Sequence, residues 1–232
     1  MAHPTSTAAH AEATGTSCDP ATSVTRSLLA YGVIAGPTYL LVSLVQAVTR
    51  DGFDLVRHPW SLLGNGALGW IQITNLVVSG LMTIAFAVGL RRALPPGRGA
   101  TWAPRLVAGY GLGQIGAGVF RADPALGFPP GTPSGATEVS WHGMLHFVLG
   151  GTGFACLIAA CFVIAGRFAA ERRPGWAMFS RVTGVLFVAG FVGIGAGAGG
   201  AWTNLAFTAS IALVCAWISA LAVHLYRRTA AH

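Results

Sequence analysis

Apolar residues in this chain come in long runs, separated by short stretches rich in arginine, glycine and proline. Six runs stand out, at about 27–48, 69–90, 102–120, 141–165, 176–198 and 202–226. At 1.5 Å per helical residue each is long enough to cross a hydrocarbon core about 30 Å thick. Trp70, Trp102, Trp141, Trp176 and Trp202 fall within a residue or so of the run boundaries, where an amphipathic indole prefers the headgroup region. The pattern predicts an all-α, polytopic bundle of six transmembrane helices over residues 26–228. Residues 1–25 are rich in Ala, Thr, Ser and His without an apolar period, which predicts a disordered tail. They lack the basic start of a secretory signal. Residues 229–232 form a short C-terminal tail.

Composition settles the class. Of 232 residues, 53% are hydrophobic and 9% charged, against roughly 25% charged in soluble domains. A net charge of +7 would ordinarily raise a nucleic-acid partner, but all 14 basic residues are arginines lying between the apolar runs rather than in one cluster, so none is expected. The charge reads as topology instead. Arg26, Arg91, Arg92, Arg98, Arg105, Arg167, Arg172, Arg173, Arg181, Arg227 and Arg228 flank one side, against Arg50, Arg57 and Arg121 on the other. By the positive-inside rule both termini are cytoplasmic in a multi-pass protein of the plasma (inner) membrane, with the lipid bilayer as its first partner. The long outer segments are then 49–68 and 121–140, and the third outer connection is a tight glycine-rich turn near Gly199. Of the four cysteines, Cys18 lies in the tail and Cys156, Cys161 and Cys215 inside spans, a distribution that implies neither a disulfide nor a thiolate metal site.

The depth of the polar residues is the next signal. Gln46, Gln72, Asn75, Gln114, His142, His146 and Asn204 all fall in the outer halves of their spans. Amides and imidazoles are costly in hydrocarbon unless paired, so this common depth predicts either a shared polar cavity open to the outside or an interhelical hydrogen-bond network. Small-xxx-small spacings at Gly109, Gly113 and Gly116, and at Gly193 and Gly197, predict close helix packing, and glycine-rich faces could also join copies of the chain. Pro37 frees the carbonyl of Val33 and predicts a kink in the first helix.

The chemistry-bearing stretch is WHGMLHFVLGGTGF, residues 141–154. Glu138, His142, His146, Gly150 and Gly153 share one helical stripe, polar at its outer end and bare further in, where another backbone or a small ligand can come close. Two imidazoles four residues apart can reach one divalent ion such as zinc, with an open position for water. Asp123, arriving from a different helix, is the preferred third ligand over Glu138. The alternative pairs the imidazoles with protein acceptors and no ion. In the first outer segment, FDLVRHPWSLLGNG, Asp54 can reach His58, and Pro59 with Trp60 suggests a short piece lying on the membrane surface. Residues 128–135, FPPGTPSG, read as an extended, mobile connection.

The strings GFDLVRHPWSLL, GWIQITN, FRADPALGFPPGTP and SWHGMLHF, in this order and at the outer ends of the spans, resemble domain-of-unknown-function family 998 over about Leu28 to Tyr226. The resemblance implies a six-helix integral membrane protein of bacteria or archaea without an established activity, and it supplies no catalytic residues. The family often has Pro where this chain has Arg121. Three function classes follow: a metal-dependent membrane enzyme, a transporter or membrane protein binding a small molecule or lipid, and an accessory protein without chemistry.

Overall fold

The computed structural model describes residues 20–135, 138–197 and 200–229. Its helices are α1 (Pro20–Thr49), α2 (Gly69–Ala93), α3 (Trp102–Val119), α4 (Trp141–Ala170), α5 (Pro174–Ala196) and α6 (Ala201–Thr229), with a 3-10 turn at Trp60–Gly64. Residues 20–25, expected in the tail, are the first turns of α1, and Thr25 is buried there with Arg92 Nε donating to its hydroxyl at 3.0 Å. Residues 1–19, 136–137, 198–199 and 230–232 lie outside the described residues, and with them the turn expected near Gly199.

Each helix packs on its neighbours in sequence, and α6 returns against α1, so the six close into a ring. The short connections after α2, α4 and α5 force antiparallel order between those neighbours. The close contacts confirm it along α3, where Gly118 faces Ile73 and Leu76 while Gly111 faces Gly80 and Ile84. Five helices are long and apolar enough to cross a membrane: α1, α2, α4, α5 and α6. α3 is not among them, which corrects the expectation that every span qualifies. Its 18 residues still rise about 27 Å. Its glycines let it lie deep between α2 and α4, so lipid sees little of it.

Glycine sets these spacings. A methyl group added at Gly113 would stand 2.6 Å from Gly153 Cα, and one at Gly36 would stand 3.1 Å from the backbone of Cys215. In lipid, where apolar burial drives no association, such backbone approach is a main source of packing energy. α1 continues through Pro37, and the Val33 carbonyl freed by that proline accepts from Ser219 Oγ of α6 at 3.1 Å.

The two halves of the ring differ. Toward the arginine-rich end the centre is filled by Phe86, Leu157, Phe187, Trp217 and Leu221, all at most 1% exposed. This end is stitched by Arg26 on Tyr226, Arg167 on Glu171 at 2.8 Å, and Arg167 Nη1 on the carbonyls of Pro95 and Arg98. The opposite end carries the two long connections, and its buried side chains, Tyr39, Trp60, Leu63 and Phe128 among them, fall into two smaller clusters.

Candidate functional site

The histidine stripe forms on α4 as its spacing dictates, but its two imidazoles do different things. Ser140 caps the helix, its hydroxyl accepting from Gly143 N–H. His142 is exposed and stacks on Trp141, ring centroids 3.5 Å apart. His146, one turn on, is buried, and its Nδ1 lies 2.9 Å from both the Ala117 and Phe120 carbonyls at the end of α3. Carbonyls only accept, so Nδ1 carries a proton. The bare part of the stripe meets α3, Gly150 facing Ala117 and Gly153 facing Gly113.

Asp123 arrives from the end of α3, as anticipated, but its carboxylate is taken up by the start of α4. Oδ2 accepts from Ser140 N–H at 2.8 Å and Oδ1 from Ser140 Oγ at 2.5 Å. A carboxylate at a helix N-terminus is favoured by the unpaired amides and the helix dipole. Glu138 is exposed. Among the described residues no three His, Cys, Asp or Glu side chains gather where one ion could sit. The zinc centre expected from His142, His146 and Asp123 therefore has no assembled ligand set, because stacking, carbonyl bonding and capping turn the three groups to different partners.

The amides do not converge on the histidines either. Gln46, Gln72, Asn75 and Ser43 form a buried cluster between α1 and α2, in which Gln72 Oε1 accepts from Gln46 at 2.8 Å and Asn75 Nδ2 donates to Ser43 Oγ and to the Tyr39 carbonyl. Gln114 bonds Thr83 across the α2–α3 contact. These are interhelical bonds, the network alternative of the two that the common depth allowed.

Asn204 and His58 belong to a third structure, a lid. Residues 50–68 and 120–128 interlock over the end of the ring. His58 is buried; its Nδ1 accepts from the Asp54 backbone N–H at 2.9 Å and its Nε2 donates to the Leu126 carbonyl at 3.0 Å. The Asp54 carboxylate instead accepts from Val56 N–H. Asn204, at the start of α6, donates to the carbonyls of Leu55 and His58. Two residues that the pattern did not single out complete the lock. Arg50 donates to the Leu63 and Asn65 carbonyls, both at 2.5 Å, and lies over the Phe128 ring, while Asn65 Nδ2 donates to Ala122 O at 3.0 Å. Arg50 carried a signal, being one of three arginines on the sparsely charged side. Phe128 and Trp60 are buried, so the first loop dips inward instead of lying on the membrane, and the second is tied down at Phe128 instead of extended.

Beneath the lid is a cavity of about 590 Å³. All six helices line it, through Tyr39, Leu76, Ala117, His146, Phe191 and Phe207, and Trp60, Leu62, Ala122 and Leu126 roof it. Phe154 anchors its wall, edge-on to Phe187 and Phe191 at 5.1 and 5.3 Å. The space is therefore apolar and aromatic with a few polar groups at its edge, the usual make-up of a small-molecule pocket. Asp123 and His146 touch it; Gln46, Gln72, Asn75, Gln114 and Asn204 do not line it.

The fold and this cavity define the class: an integral membrane protein whose ring of helices encloses a lidded apolar pocket in one half. The chain belongs to the family described as a protein of unknown function, DUF998, which it matches over residues 33–224. That match takes in every lid and cavity residue named above. No curated protein and no solved structure matches the chain.

Proposed function

We propose that this is a ligand-binding membrane protein whose lidded cavity takes an apolar small molecule or lipid. The cavity itself carries the reading: six helices converge on one space of about 590 Å³, within the roughly 300–1,000 Å³ of ligand pockets, and leave it unfilled where close packing would stabilise the ring. The arginine distribution supports cytoplasmic termini and a pocket on the extracytoplasmic side of the plasma membrane. Arg50, His58, Asn65 and Asn204 serve the pocket indirectly, by tying down its roof. Purified protein titrated with a small aromatic such as 1-naphthol tests this. Saturable binding that raises the melting temperature is expected by linkage, and Ile211→Trp, which fills the cavity, should abolish it. A panel of apolar compounds that leaves the melting temperature of the wild type unmoved would reject the reading.

A further inference from the structure

The roof of the cavity is locked and its side is open. From above, the route from water is covered by Trp60, Leu62 and Ala122, on segments held by Arg50, Asn65, His58 and Asn204. The side between α4 and α5 differs. The two helices are close at Gly184, where an added methyl would meet Cys161 Cβ at 3.1 Å, and further apart at Gly151, where an added methyl would reach only Phe191 Cζ, at 3.7 Å. Past Gly190, which packs on Ser210 of α6, the last turns of α5 have open space: no described residue lies within 4 Å of a methyl added at Gly193 or Gly195. Phe147 and Val139 line the cavity, yet they are 63% and 61% exposed. Residues on the wall of a pocket and on the outside of the protein at once mark its mouth.

That mouth sits at a particular level. Phe147 is six residues into α4 from the exposed Trp141, about 9 Å along the axis. It thus lies just inside the hydrocarbon if Trp141 holds the interface. The other side of the mouth is the exposed rim of Ser134 and Gly135. Such a mouth admits an apolar chain from lipid while its polar head stays at the rim. If a methylene takes about the roughly 30 Å³ of a water molecule in the liquid, the cavity holds about 20, enough for one chain and too few for two.

Resting on the ligand-binding reading above, we infer that the occupant is the single hydrocarbon chain of a membrane amphiphile, which reaches the cavity sideways between α4 and α5. The test uses the full chain in vesicles containing a lysophospholipid with a photoactivatable diazirine at its chain end, with adducts mapped by peptide mass spectrometry. A diacyl phospholipid carrying the same group serves as comparison. Lipid-facing Leu41 and Leu81 should be labelled by both, and Phe207 and Ile211 inside the cavity by the lysophospholipid alone. Gly151→Trp or Ile194→Trp, each plugging the mouth, should abolish interior labelling and leave exterior labelling intact; two variants are used so that one failing to fold does not end the test. Interior adducts that persist in a folded plugged variant overturn the sideways route, and equal interior labelling by the diacyl lipid overturns the single chain. Adducts confined to the exterior overturn the inference as a whole. 1-Naphthol binding then separates the two failures: if it is retained, the cavity still binds ligands and only its occupant was misassigned.

Discussion

At the scale of single residues, polar groups here are chosen for the carbonyls they satisfy. His58 is the clearest case. Replacing it with Ala strands the part-buried Asp54 N–H and Leu126 carbonyl and removes the buried ring packed between Phe53 and Phe128. Water can reach part of the stranded groups, so they cost less than a fully buried pair, and with the lost packing His58→Ala should lose about 1–3 kcal/mol, read as a lower melting temperature in detergent. His146→Ala strands the carbonyls ending α3 and should also destabilise, whereas His142→Ala, at an exposed stack, should stay within about 0.5 kcal/mol of wild type. The same residues decide the metal question. Zinc or a chelator should leave the melting temperature of the wild type unchanged, and a zinc-dependent rise lost in both histidine variants would refute the geometry described.

At the scale of elements, the small residues divide into those that meet a backbone and those that meet nothing. Gly113 and Gly153 form the crossing of α3 and α4. Gly113→Val should push these helices apart and cost at least about 3 kcal/mol, since overpacking against backbone has no flexible side chain to yield. Gly193, of the same apparent motif type, has open space around it, so Gly193→Ala should be neutral or stabilise α5 by up to about 1 kcal/mol. The comparison is made by thermal unfolding of the two variants side by side. A large loss in Gly193→Ala would show that this face packs against something, a second copy being the first candidate. The motif alone could not make the distinction, because spacing tells which residues share a face and not what that face meets.

At the scale of the molecule, a closed antiparallel ring of six places both ends of the chain on one side, together with the α2–α3 and α4–α5 connections. Reporter fusions near Gly97 and after Arg228 should therefore report the same side, expected to be the cytoplasm from the arginine count. A reporter near Gly66 should report the opposite one. Disagreement between the first two would break the ring. The ring also explains how α3, long enough to cross, can be too polar to qualify as a span by itself. It is held by the glycine contacts of α2 and α4, and its Gln114 is paired with Thr83. Packing within the bundle replaces the hydropathy that a lipid-facing helix needs.

Read from sequence alone, the chain already declared six helices, the family, and a polar layer in one half of the bundle. Those properties are local or additive: run length, indole position, arginine placement and the cost of a lone amide all follow from a residue and its solvent. The freed Val33 carbonyl was legible too, because Pro37 names its own victim, although only the fold supplied Ser219. The site was not legible in the same way. Whether His142, His146 and Asp123 share an ion or part company depends on where the end of α3 meets the start of α4. Whether Gln46, Gln72 and Asn75 line a cavity or bond each other depends on which way α1 and α2 turn about their axes. The cavity is the property furthest from the sequence. It is a volume between apolar side chains contributed by six helices and two loops, and no residue's chemistry announces the space beside it.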